Sequence, residues 1–131
     1  MSHPVVTVEP DDTLEEVQHI FSKTRFHHLL VVERNKLVGV VSDRDLLRAL
    51  SPYLNTAAET GRDLATLNKR VHQIMTRKPH TVNESASLHE AVAVIHDHNV
   101  SCVPVVASGG RVVGILTWRD ILRALMRVRR N

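Results

Sequence analysis

Two short stretches of the chain carry residue types that could hold an anion such as a phosphate: Ser42-Asp43-Arg44-Asp45 and Thr117-Trp118-Arg119-Asp120. Each combines a hydroxyl, a guanidinium and a carboxylate. The carboxylate offers acceptors only, and the guanidinium a planar fork of donors that matches phosphate oxygens. Both stretches follow an apolar, β-branched run that contains a glycine, Leu37-Val38-Gly39-Val40-Val41 and Val112-Val113-Gly114-Ile115-Leu116. Both lead into a helical pattern closed by Leu-Arg-Ala-Leu. The spacing predicts a buried strand, a tight turn and a helix whose first turn reads Ser/Thr-x-x-Asp. Glycine permits close backbone approach at the strand, and free N–H groups at the helix start favour an anion. The simpler reading of Ser/Thr-x-x-Asp is a helix cap. An Arg directly before the Asp in both copies exceeds what a cap needs and fits a nearby phosphate.

Other reactive side chains form no comparable constellation. Nine histidines invite a metal reading, chiefly at His27-His28 and His96-Asp97-His98. Neighbours on a strand point to opposite faces, and no Cys or third ligand with zinc-like spacing accompanies them. The expectation is no metal, with His19, His72, His80 and His89 on the surface. Cys102 is the sole cysteine, which excludes an intrachain disulfide and suits a reducing cytoplasm. It precedes a buried strand and has no local His partner, so it reads as a packed or site-lining thiol rather than a nucleophile. Arg123, Arg127, Arg129 and Arg130 meet the negative end of a terminal helix. No helix-turn-helix pattern or aromatic interleaving accompanies them, and aromatics are only 3% of the chain, against a nucleic-acid surface.

The elements that position the two motifs repeat. At 131 residues and net charge +3 the chain is long enough for a core without metal or disulfide. It shows no signal-peptide pattern and no apolar run long enough to span a membrane. A shift of 74 residues places Met1, Thr7, Val8, Leu14, Glu16, Val31 and Val32 on Met75, Thr81, Val82, Leu88, Glu90, Val105 and Val106. One extra residue near Ser108-Gly109-Gly110 then aligns Gly39, Arg44 and Asp45 with Gly114, Arg119 and Asp120. Each copy reads as a short extended segment (Val5–Val8, His80–Val82) and a helix opened by Thr13-x-x-Glu16 or Ser87-x-x-Glu90. The strands Leu29–Val32 and Val103–Val106 follow, and then the glycine strand and the motif helix. The order is β-α-β-β-α, twice. The copies occupy 1–51 and 75–131. The 52–74 stretch, with Leu64, Leu67, Val71 and Ile74 at helical spacing, is expected to be a connecting helix.

Two such units ending in Gly-h-h-Ser/Thr-x-x-Asp resemble a CBS-domain pair, the Bateman module, over nearly the whole chain. The Val103-Pro104-Val105-Val106 segment and the opening Met75-Thr76-Arg77-Lys78-Pro79 support the resemblance. The first copy departs from it in having Leu30 where the second has Pro104, and in its looser opening Met1-Ser2-His3-Pro4. Small bacterial two-CBS proteins, the acetoin-utilisation type among them, are similar in build.

The resemblance implies an α/β (α+β) fold with pseudo-twofold symmetry and two clefts that bind adenosine compounds: AMP, ADP, ATP, S-adenosylmethionine or NAD. It further implies that the motif Asp binds the ribose hydroxyls and the Ser/Thr reaches the phosphates. One implied ligand set is Ser42, Arg44, Asp45, Thr81, Val82, Ser101 and Cys102. The other is Thr117, Arg119, Asp120, Thr7, Val8, His27 and His28. The histidine-containing set is expected to favour the more phosphorylated nucleotide, since a phosphate stabilises a protonated imidazole.

The reading is therefore a cytoplasmic regulatory module that binds an adenine nucleotide, requires no cofactor and is not an enzyme. It is expected to signal to a separate regulated protein. Leu46, Leu47, Leu50, Ile121, Leu122 and Leu125 give the motif helices more apolar surface than one contact needs, so a homodimer is expected. The alternatives are a structural dimerisation module with degenerate clefts, or binding of S-adenosylmethionine or NAD.

Overall fold

Thr13 and Ser87 open equivalent helices for the same physical reason. Each sits in extended backbone and its hydroxyl accepts an N–H from three residues on, Glu16 at 3.3 Å and Glu90 at 3.1 Å. Those bonds satisfy donors that a helix start leaves open. The structure is a computed structural model; it describes residues 5–130, and of 128–130 only the backbone. The opening Met1-Ser2-His3-Pro4 thus lies outside the described residues.

The elements run β1 (Thr7–Val8), α1 (Leu14–Lys23), β2 (His28–Glu33), β3 (Lys36–Ser42), α2 (Asp43–Ala49), α3 (Gly61–Ala65), β4 (Thr76–Arg77), β5 (Val82–Asn83), α4 (Leu88–His98), β6 (Cys102–Val106), β7 (Val112–Thr117) and α5 (Trp118–Arg130). The doubled β-α-β-β-α order is present. One sheet has the order β1-β2-β3-β4 and the other β5-β6-β7, with β1 parallel to β2 and β5 parallel to β6. The chain divides into two compact units, one of Val6–Glu33 with Val38–Arg77, the other of 78 onward with Arg34–Leu37.

In the first unit Leu14 and Val17 of α1 are fully buried against Leu29, Val31 and Val41 of the sheet, with Leu46 of α2 and Val71. Ile20 and Phe21 pack at the margin of this cluster, as their helical spacing predicts. The second unit has a smaller cluster of Ala91, Val105 and Leu116, flanked by Val82, Val113 and Ile121. The β2–β3 turn is the two residues Arg34 and Asn35, with φ of 52° and 64°, the geometry that suits a tight hairpin. Its counterpart uses Gly109 and Gly110, both at φ 86°.

Strand pairing explains the Leu30/Pro104 difference. In the first sheet β1 pairs Thr7 with Leu30 and Val8 with Val31. In the second, β5 begins one position later and pairs Val82 with Val105 and Asn83 with Val106. Pro104 therefore meets only β7, at Ile115, and a strand with one open side tolerates a missing N–H.

Two features differ from the sequence expectation. Thr76–Arg77, at the opening of the second copy, forms β4 and pairs antiparallel with the first copy's Gly39 and Val40. A Cβ on Gly39 would lie 2.7 Å from Met75 Sδ and 2.9 Å from the Thr76 carbonyl oxygen, so the close approach read from this glycine is real and β4 is what approaches. The connector, expected as one helix, is instead α3 and two short 3-10 turns, Thr66–Asn68 and Val71–Gln73. It is interrupted because Lys69 and Arg70 are extended and bond to the loop before α1. Leu14 N–H donates to the Lys69 carbonyl and Val71 N–H to the Asp12 carbonyl, both at 2.9 Å. Val71 is thereby driven into the first core, while Leu64 stays 49% exposed.

Candidate functional site

β3 ends at Ser42, where the backbone is extended before α2 begins. The Asp45 N–H donates to Ser42 Oγ at 3.1 Å, and the Ser42 N–H donates to Asp45 Oδ2 at 2.9 Å. This is a full capping box. The second motif repeats it: Thr117 N–H donates to Asp120 Oδ2 at 2.9 Å, and Asp120 N–H to Thr117 Oγ1 at 3.4 Å. The Thr117 hydroxyl also donates to Asp120 Oδ2 at 3.1 Å. The capping reading of both motifs is thus realised. It does not exhaust the Asp45 carboxylate, since a carboxylate has about four lone-pair sites. Asp45 and Asp120 are half-buried, and Arg44 and Arg119 are exposed beside them. A half-buried carboxylate fixed by backbone, next to a solvated guanidinium, can accept from a diol and pair with an anion.

His27 and His28 lie at the entrance to β2, and the structure brings both to the start of α2. The Asp43 N–H donates to the His27 carbonyl at 3.0 Å, and His27 Nδ1 lies 2.9 Å from Asp43 Oδ2. Since an ionised carboxylate only accepts, Nδ1 carries the proton. His28 is half-buried, and that burial pushes its pKa below the ordinary 6.5, against the attraction of Asp43. Its neutral form is therefore favoured at pH 7. Asp43 was not among the residues singled out from sequence. Its signal was an extra acid inside the motif, but its partner is 16 residues away, beyond local pattern.

At the equivalent place in the second unit, Trp118 N–H donates to the Ser101 carbonyl at 3.2 Å. Cys102 pairs across the sheet with Thr117, which puts Ser101 and Cys102 beside the second motif. Burial pushes the Cys102 thiol up to about 12, which removes it as a nucleophile near neutral pH. Thr81 is exposed just before β5 and Val82 is half-buried on it; Thr7 is exposed and Val8 buried on β1. His80 stacks on His98 with ring centroids 3.6 Å apart. Among the described residues no three His, Cys, Asp or Glu side chains gather as a metal would need. No helix among them is long and apolar enough to cross a membrane.

The profile of the CBS-domain family matches residues 1–52 and 71–127. A CBS domain-containing protein of Dictyostelium discoideum is 32% identical over 130 residues, spanning 98% of this chain and 89% of that protein. Other relatives are longer: an uncharacterised Methanocaldococcus jannaschii protein is 29% identical, and the chain spans 46% of its length. Among solved structures, Arabidopsis thaliana CBSX2 in complex with AMP superposes with TM-score 0.77 at 29% identity, covering 95% of this chain and 90% of that one. The CBS-domain pair of protein MJ0100, in complex with 5′-methylthioadenosine and S-adenosyl-L-methionine, gives TM-score 0.77 at 31% identity, with coverage of 96% and 91%. With two matched copies and the same strand-turn-helix in each, the chain belongs to the CBS-domain family and is a CBS-domain pair.

Proposed function

We propose that this chain is a regulatory module that binds adenosine nucleotides of the AMP, ADP and ATP class, and that it catalyses no reaction itself. The observation that carries the reading is the duplicated Ser/Thr-x-Arg-Asp turn, in which a capped, half-buried carboxylate sits beside an exposed guanidinium. The AMP complex of CBSX2 supports the ligand class. The two proposed ligand sets are those implied by the family likeness: Ser42, Arg44 and Asp45 with Thr81, Val82, Ser101 and Cys102, and Thr117, Arg119 and Asp120 with Thr7, Val8, His27 and His28. The occupied state is transmitted in the cytoplasm to a separate regulated protein. A thermal-shift panel of AMP, ADP, ATP, S-adenosylmethionine and NADH tests the class, since a ligand that binds only the folded state raises its melting temperature. A nucleotide at 100 times its Kd stabilises by about 2.7 kcal/mol. A flat panel would refute the reading.

A second ligand class has its own support. The MJ0100 pair was solved with 5′-methylthioadenosine and S-adenosyl-L-methionine, which share the ribose but lack a phosphate. A shift with S-adenosylmethionine alone would select it.

The proposed assembly is a homodimer. Leu47, Leu122 and Leu125 of the expected apolar set are exposed, at 72%, 46% and 54%, joined on α5 by Trp118 and Met126. Leu46 is instead taken up by the first core. Covering exposed leucines against a second copy removes apolar area from water. Sedimentation at micromolar concentration should give about twice 14.7 kDa; a monomer throughout would exclude the dimer.

A further inference from the structure

We propose that Asp43 is a specificity-determining, positioning residue: it engages His27 and sets a negative charge beside His28, so a ligand phosphate must compete with a carboxylate for the imidazoles. The inference rests on the nucleotide reading and refines it, favouring AMP over ATP at the histidine-containing set and so reversing the preference expected from sequence. Three observations support it. His27 Nδ1 is 2.9 Å from Asp43 Oδ2, and the Asp43 N–H to His27 carbonyl bond, at 3.0 Å, fixes the same two residues through the backbone. The second copy keeps the backbone tie, Trp118 N–H to Ser101 carbonyl at 3.2 Å, but has neither the carboxylate nor the imidazole. The side chains of His27 and Asp43 are 58% and 41% exposed, and a pair so solvated contributes little to stability. Its value lies in where it holds the ring and which charge it adds.

The charged and titratable groups around this pair are His28, Asp45 and the exposed Arg44 between the two acids. The first motif reads Asp-Arg-Asp and the second Trp-Arg-Asp, so the first carries one more negative charge. Burial already holds His28 toward its neutral form. With His27 engaged by Asp43, each added phosphate on a nucleotide meets the Asp43 field.

The test has two parts on the full chain. Without ligand, ¹⁵N imidazole shifts should show His27 held with its proton on Nδ1 in the wild type and redistributed in Asp43→Asn. Calorimetry in magnesium-free buffer should then show ATP affinity rising roughly threefold to tenfold in Asp43→Asn, the size expected for one charge at partly solvated range, with AMP affinity changing less. In His27→Asn the Asp43→Asn gain should shrink. Identical imidazole shifts in wild type and Asp43→Asn would overturn the pairing. An intact shift difference with an unchanged ATP-to-AMP affinity ratio would overturn the specificity role. If neither protein binds a nucleotide while the shift difference persists, the functional reading fails and takes this refinement with it.

Discussion

Gly39→Ala tests the join between β3 and β4. A Cβ at this position would stand 2.9 Å from the Thr76 carbonyl oxygen and 2.7 Å from Met75 Sδ. The thioether can swing aside, but the carbonyl belongs to the two-residue strand β4, whose pairing to Gly39 and Val40 would have to yield. Overpacking of this kind costs about 1–3 kcal/mol. Alanine recovers about 0.5–1 kcal/mol of backbone entropy relative to glycine in a strand. The expected net loss is about 1–2 kcal/mol, a melting-temperature drop of roughly 3–10 °C for a chain of this size. Gly61→Ala is the control: at the first position of α3 its Cβ meets nothing within 4 Å, so it should be neutral or slightly stabilising. Calorimetric melts of the three proteins decide. A Gly39→Ala melt within about 1 °C of wild type, where the scale is several degrees per kcal/mol, would refute the close-approach argument.

Two further outcomes follow from titrating groups. Burial lowers the His28 pKa below its ordinary 6.5, so as pH falls the unfolded chain takes up the proton that the folded chain resists. Stability is then full above pH 6.5 and is lost as pH falls below it through the folded pKa. His28→Gln should narrow the gap in melting temperature between neutral and mildly acidic buffer; an unchanged gap would remove His28 as a source. Cys102, with its pKa pushed up to about 12, should alkylate in the native protein at pH 8 at least roughly a hundredfold more slowly than in urea, because the thiolate is the nucleophile. Equal rates would contradict its burial.

The helices were legible wherever a cap and an apolar period agreed. Thr13 with Leu14 and Val17, and Ser87 with Ala91, needed only local chemistry. The motif boxes were equally local, since both halves of each bond lie within four residues. What escaped were pairings set by tertiary position. Nothing in Thr76-Arg77 says that it joins the preceding copy's sheet; the only trace is Gly39, which announces an approach without naming what approaches. The connector misled because Leu64, Leu67, Val71 and Ile74 keep a helical period across two short turns, while Lys69 and Arg70 extend to pair with the loop before α1. Asp43 escaped because its position on α2 reads as a favourable acid in a first helical turn, and its contact with His27 is made only when β2 and β3 pair.

The central claim is nucleotide binding through the two motif carboxylates, and calorimetry with AMP on four proteins tests it most directly: wild type, Asp45→Ala, Asp120→Ala and the double variant. Each substitution also removes a cap bond, which costs about 1 kcal/mol of stability, so the titrations belong well below the melting temperature of the least stable variant. The account predicts saturable binding in the wild type, loss of one component in each single variant and no binding in the double. Unchanged affinity and stoichiometry in the double variant would contradict it.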